Sequence, residues 1–176
     1  MRLFTPSRVV ALVALAIAAV SLFLALGVAS AGTSSPAKQA CVKGQALLER
    51  NKANAVAYYE TAFNDKNPRL AVKLYGGDEY IQHNPLAANG FDAFIGFVES
   101  FTAAFPDIHI DIRRVIAECD LVVTHGILSG APVFGQFDSK VVDIFRLDEN
   151  GKIVEHWDVL AQQVDPATSA NGNPEV

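Results

Sequence analysis

Cysteine is scarce in this chain, two residues in 176, and tryptophan occurs once. Two cysteines exclude a disulfide-dense mini-scaffold, a zinc ribbon and a cysteine-ligated cluster. Clusters of Lys and Arg are missing, which argues against nucleic acid or an anionic membrane surface as partner. Fourteen basic against nineteen acidic residues give −5; beyond Ala31 the count is twelve against nineteen, or −7. A nucleotide-binding glycine loop, a Gly-x-Ser-x-Gly elbow and a His-Glu-x-x-His motif are also absent, so no cofactor is implied. There is no internal repeat. What remains is length for one domain, with apolar and aromatic residues recurring as far as Val164, which excludes disorder for most of it.

The first thirty residues inflate the apolar share. Arg2 and Arg8 precede an apolar run over 9–29, followed by Ala29-Ser30-Ala31, a small-x-small site of the kind signal peptidase accepts. Residues 1–31 therefore read as an export signal, which places the protein in an extracellular or periplasmic compartment. The alternative is an uncleaved anchor, since the run is long enough to cross a bilayer. Residues 32–42 read as a linker running into the first helix, 43–165 as the globular domain and 166–176 as a loose polar tail.

Within the domain, helices come first and strands afterwards. Residues 40–64 favour helix, with Leu48, Ala55, Tyr59 and Phe63 near 3.6-residue spacing. Asn67-Pro68 opens a second helix, Asn as cap and Pro in the first position, which Gly76-Gly77 stops. Residues 79–83 read as extended. Residues 91–105 place Phe91, Phe94, Ile95, Val98, Phe101 and Phe105 on one helical face, which reads as core. The period then changes to two at Ile108, Ile110 and Ile112, and strands follow over 121–129, 136–147 and 152–163, the third entered through the Gly/Pro loop 130–135. The pattern implies an α+β domain: three helices packed on one face of a curved, mainly antiparallel sheet.

Candidate chemistry rests on a few polar residues in apolar company. His109 shares its side of the strand with Asp111 and Arg113 and reads as surface. His125 has the parity of Leu121, Val123 and Ile127, an apolar face that meets either the helices or a cavity. His83 stands in Gln-His-Asn-Pro at the end of a short strand. The hairpin at Asn150-Gly151 allows a test of register, because opposed residues in an antiparallel pair have a constant sum of numbers. Two- and four-residue loops both place Asp143, His156 and Asp158 on one face. A three-residue loop with a glycine bulge pairs Asp143 with Trp157 and turns His156 away.

The segments Tyr80-Ile81-Gln82-His83-Asn84-Pro85, Val142-Asp143-Ile144-Phe145-Arg146 and Gly151-Lys152-Ile153-Val154-Glu155-His156-Trp157-Asp158 resemble the SnoaL-like polyketide cyclase and predicted aldol-condensation group. That group lies in the superfamily of nuclear transport factor 2 and ketosteroid isomerase. The resemblance covers roughly 46–163 and implies a cone-shaped fold that often dimerises through its outer sheet face. Asp143 is similar in context to the isomerase aspartate that donates a hydrogen bond to the enolate oxygen, which favours the register holding Asp143, His156 and Asp158 together. Asp158 resembles the late-strand aspartate of limonene epoxide hydrolase. The Arg-x-Asp pair that this enzyme needs is missing from 121–129. His83 lies near the isomerase's carboxylate base, and Tyr58 or Tyr59 matches its oxyanion tyrosine.

Abstracting a proton next to a carbonyl needs a base and a donor for the enolate oxygen. His83, His125, Asp143, His156 and Asp158 supply those types, with Asp143 or Asp158 as acid, His125 or His83 as base or orienter, and His156 behind them. The expected partner is a small apolar carbonyl compound. A non-catalytic binding module of the same fold is the alternative. A metal is not expected, because no ligand pair has His-x-His or helical i, i+4 spacing. Cys41 and Cys119 are a candidate disulfide, since export permits one. It would close about eighty residues, worth on the order of 4 kcal/mol in the chain-entropy treatment.

Overall fold

The computed structural model describes residues 44–132 and 138–176. The export signal 1–31, the linker 32–42 with Cys41, and part of the loop expected before the third long strand lie outside the described residues. Helix α1 spans Gln45–Tyr59 and continues into a π-helical turn, Glu60–Asn64. Helix α2 (Pro68–Tyr75) starts as its sequence implies, the Asn67 side chain accepting the Leu70 N–H at 3.1 Å. Helix α3 is Phe91–Ala104. Among the described residues no helix is long and apolar enough to cross a membrane.

Strands β1 (Gly76–Gln82), β2 (His109–Glu118), β3 (Leu121–Ser129), β4 (Ser139–Leu147) and β5 (Ile153–Gln162) form one open, curved sheet in the order β1-β5-β4-β3-β2. The last four make the expected antiparallel meander. Strand β1 adds a fifth member, paired parallel to β5. Gly76-Gly77 therefore begins a strand as well as ending α2. A Cβ on Gly76 would stand 2.7 Å from the Val72 carbonyl oxygen, and one on Gly77 would stand 2.6 Å from the Val154 side chain. Only glycine lets the chain turn from helix to sheet so close to both. The core gathers Tyr58, Phe63, Phe94 and Val98 from the helical segments with Val122, Leu128, Phe145 and Ile153 from the sheet.

The β4–β5 hairpin settles the site. Its loop is the three-residue type: the Asp148 N–H donates to the Lys152 carbonyl at 2.8 Å, and Gly151 holds φ 78. Leu147 thus faces Ile153. Continued unchanged, that register would set Asp143 against Trp157. A second irregularity intervenes, because Arg146 faces Glu155 and leaves Val154 as an extra, buried residue beside Ile153. From there on Phe145 faces His156, and Asp143 faces Asp158. Two offsets cancel.

At the β2–β3 turn Cys119 takes φ 55 and is disulfide-bonded.

Candidate functional site

Strict alternation along β4 buries Ser139, Val141, Asp143, Phe145 and Leu147 and turns their neighbours outward. Asp143 and His156 are 2% and 3% exposed. Tyr59 reaches them from α1 just where the helix widens into its π turn. The Tyr59 hydroxyl lies 2.9 Å from Asp143 Oδ1 and 2.8 Å from His156 Nε2, and those two atoms are 3.2 Å apart. The Thr124 hydroxyl donates to the other oxygen of Asp143 at 3.3 Å. Tyr58, the other candidate tyrosine, stacks on Phe94 in the core.

Hydrogen-bond bookkeeping assigns the protons. Gln82 Oε1 accepts the Asn84 backbone N–H at 2.9 Å and lies 3.1 Å from His156 Nδ1, so Nδ1 must bring its own hydrogen. In the triangle of Tyr59, Asp143 and His156, the phenol supplies one proton. Were it the only one, His156 Nε2 and Asp143 Oδ1 would meet as two bare acceptors in a dry site. A second proton between them removes the conflict, and the pair then carries no net charge. Burial, the nearby Asp143 charge and Tyr80 all push the Tyr59 phenol well above its ordinary pKa, so it stays a donor.

Asp158 lies beside this triangle, half-buried. The Asn84 Nδ2 donates to its Oδ2 at 2.7 Å, while Asn84 Oδ1 is occupied by the Leu86 N–H at 2.8 Å. That turn fixes which end of the amide faces the carboxylate. Tyr59, Asp143, His156 and Asp158 all open onto a cavity of about 180 Å³ whose walls are chiefly aromatic and aliphatic, among them Phe63, Phe94, Phe97 and Phe101. Leu86, Ala87 and Ala88 also line it, and Leu86 is largely exposed, which marks the rim. The arrangement offers a carboxylate base and a neutral donor pair in apolar surroundings.

Two expected members are elsewhere. His125 points to the outer face and meets Arg114 Nη1 at 3.3 Å. Strand β3 is apolar on both faces, so hydrophobicity could not choose its parity. Pairing does: Thr124 faces Asp143 and points inward, and His125 faces Val142. His83 is also outside. Its ring stacks on Trp157 at 4.6 Å and its Nε2 lies 2.7 Å from Glu155 Oε1. The inward places belong to Gln82 and Asn84, which share the parity of buried Tyr80 in Tyr-Ile-Gln-His-Asn-Pro. That alternation was the signal available for them, and histidine drew attention to the wrong one.

One ligand atom each from Asp143, His156 and Asp158 lie within 4.8 Å of one another. His156 Nε2 and Asp143 Oδ1 are engaged with each other and with Tyr59, so a cation drawing on those two atoms would have to break the triangle. These donors suit proton transfer better than metal binding.

A SnoaL-like domain model matches residues 55–156, more than half of the chain. The protein belongs to the SnoaL-like family. No curated protein matches this SnoaL-like chain by sequence. Among solved structures it is similar to TsrD from Streptomyces laurentii, with 20% identity and TM-score 0.53 over 67% of this chain and 90% of that one. A candidate SnoaL-like polyketide cyclase from Jannaschia sp. CCS1 gives 20% and 0.54 over 67% and 90%. A candidate polyketide cyclase from Acidithiobacillus ferrooxidans gives 21% and 0.53 over 63% and 87%. These likenesses establish the nuclear transport factor 2-like fold.

Proposed function

We propose that this SnoaL-like protein is an exported acid–base catalyst that acts on a small carbonyl compound by proton abstraction next to the carbonyl, in an aldol, cyclisation or isomerisation reaction. The observation that carries the reading is the buried Tyr59–Asp143–His156 triangle beside Asp158 in an apolar cavity. Asp158 takes the proton from the α-carbon. The electron pair moves to the carbonyl oxygen, where Tyr59 or the protonated Asp143–His156 pair donates a hydrogen bond to the enolate. Returning the proton to a different carbon isomerises the compound; attack of the enolate on a second carbonyl makes the carbon–carbon bond, and the proton held by Asp158 passes to the new alkoxide. The surrounding phenyl rings exclude water and strengthen each interaction. The cavity volume suits one ring with short substituents, since an engineered apolar cavity of about 150 Å³ admits benzene. The polyketide cyclase descriptions of similar structures support the same class.

Incubation in D2O with a panel of β-keto and cyclic carbonyl compounds tests this. Deuterium entering the α-position, with or without onward product, is the expected result. Saturable binding with no exchange would replace catalysis by ligand storage. Export is supported by the basic residues, apolar run and small-x-small site of the segment 1–31. N-terminal sequencing of the protein from its native host is expected to begin at Gly32.

A further inference from the structure

The tripeptides Gln82-His83-Asn84 and His156-Trp157-Asp158 run side by side at the end of the parallel β1–β5 pair. Gln82 is the partner of His156 in the ladder, and the His83 N–H donates to the His156 carbonyl at 3.0 Å. Alternation sends the outer two residues of each tripeptide inward and the middle one outward. Inside, Gln82 meets His156 and Asn84 meets Asp158, at 3.1 Å and 2.7 Å. Outside, the middle residues meet each other: the His83 and Trp157 rings stack at 4.6 Å and 6°. Glu155 ties the stack down, accepting from His83 through Oε1 and from Arg146 through Oε2.

We propose that the His83–Trp157–Glu155 cluster on the outer sheet face is a positioning clamp for the site on the inner face. It acts by holding Gln82 against His156 Nδ1 and Asn84 against Asp158. Strand β1 needs such a device. It is an edge strand, its pairing with β5 is irregular between Gly76 and Ile81, and its last ladder pair is Gln82 with His156. A slip of one residue there would exchange Gln82 for His83 on the inner face and leave His156 Nδ1 without its acceptor. The interlocked tripeptides forbid that slip, because it would break the stack and both inner contacts together. His83 is thus a positioning residue that never touches the substrate, which accounts for a half-exposed histidine so near the site.

The inference rests on the contacts of Gln82 and Asn84 described above, and its test reads the His156 ring, not turnover. A clamp that fails leaves the proposed chemistry standing, and a protein shown to be a binder leaves the clamp standing. Long-range proton–nitrogen spectra of the full domain with 15N-labelled histidine report the tautomer of His156. The wild type should show a single state with a hydrogen fixed on Nδ1, and Gln82→Ala marks the signature of its loss. Both His83→Ala and His83→Leu, which keeps bulk but removes ring and hydrogen bond, are expected to give the Gln82→Ala pattern while melting cooperatively. His125→Ala, equally on the outer face but away from β1, should leave the wild-type pattern. A wild-type His156 signature in either folded His83 variant overturns the proposal. Should His83→Ala not fold, His83→Leu alone is read by the same criterion.

Discussion

The two faces of the sheet carry the same chemical pair, a histidine against a carboxylate, in opposite surroundings. On the inner face His156 and Asp143 are 3.2 Å apart and almost wholly buried. On the outer face His83 and Glu155 are closer, at 2.7 Å, with His83 41% exposed. Distance alone would rank the outer pair first. Solvent reverses the ranking, because water screens the outer pair far more than the nearly buried inner one. Inside, each proton has to be shared among named atoms, and an unmatched donor or acceptor costs its full desolvation. Outside, a mismatch is repaired by water. Proton chemistry belongs to the first environment and mechanical fastening to the second.

The comparison breaks most completely if the faces are exchanged. A single alanine inserted after Glu155 should turn His156 and Asp158 outward and Trp157 inward. The expected loss exceeds about 4 kcal/mol, because buried polar partners are orphaned and the indole takes the place of Asp158 on the cavity wall. Urea unfolding measures it. Deleting Val154 makes the contrasting case. Arg146–Glu155 and Leu147–Ile153 can then follow each other without an extra residue, so the inner set stays inside. The lost valine side chain should cost about 2 kcal/mol. Equal damage from both changes would refute the cancelling offsets.

Much of this was legible beforehand, and the part that was not has a physical reason. The helix at Asn67-Pro68, the phenylalanine face of α3 and the alternation of β2 to β5 are local, so each is written in neighbouring residues. The inward set Asp143, His156 and Asp158 was expected from a resemblance that favoured the right parity, although the loop is the type that taken alone would have broken it. Val154 as an extra residue has no local signature. Neither has the parallel pairing of β1 to β5, which depends on segments more than seventy residues apart. The parity of β3 was ambiguous for another reason: both of its faces are apolar, so only the pairing of Thr124 with Asp143 decides it.

Smaller changes sharpen the contrast within the inner face. Asp143→Asn keeps an oxygen for only one of Tyr59 and Thr124, which bond different carboxylate oxygens, and cannot share a proton with His156. Turnover on any substrate found by deuterium exchange should fall by roughly 10²–10⁴-fold, with about 1 kcal/mol lost in urea unfolding. Unchanged turnover would make Asp143 structural. Tyr59→Phe removes one donor of the triangle and leaves the Asp143–His156 contact. Its effect should be milder, about 10²-fold on kcat, with KM little altered if the hydroxyl acts on the enolate oxygen and not on the ground state.

The smallest expected effect lies on the outer face, at Glu155. Burial pushes its carboxyl upward, but hydrogen bonds from His83 and Arg146 and the Arg146 charge outweigh that and hold it below its ordinary value. A carboxylate lowered in the folded state adds stability that is fully present above its unfolded pKa, about 4.3, and is lost as pH falls through the lower folded value. Glu155→Gln keeps the acceptor oxygens' shape on one side and removes the charge. Near neutrality it should be less stable than wild type by less than about 1 kcal/mol, the usual size for a pair open to solvent. The gap should close as both proteins are taken below the ordinary carboxylate range, where wild-type Glu155 is neutral as well. Urea midpoints at pH 7 and in acid give the comparison. A gap that persists undiminished in acid would mean that the glutamine disturbs packing around Trp157 and that charge contributes little to the outer cluster.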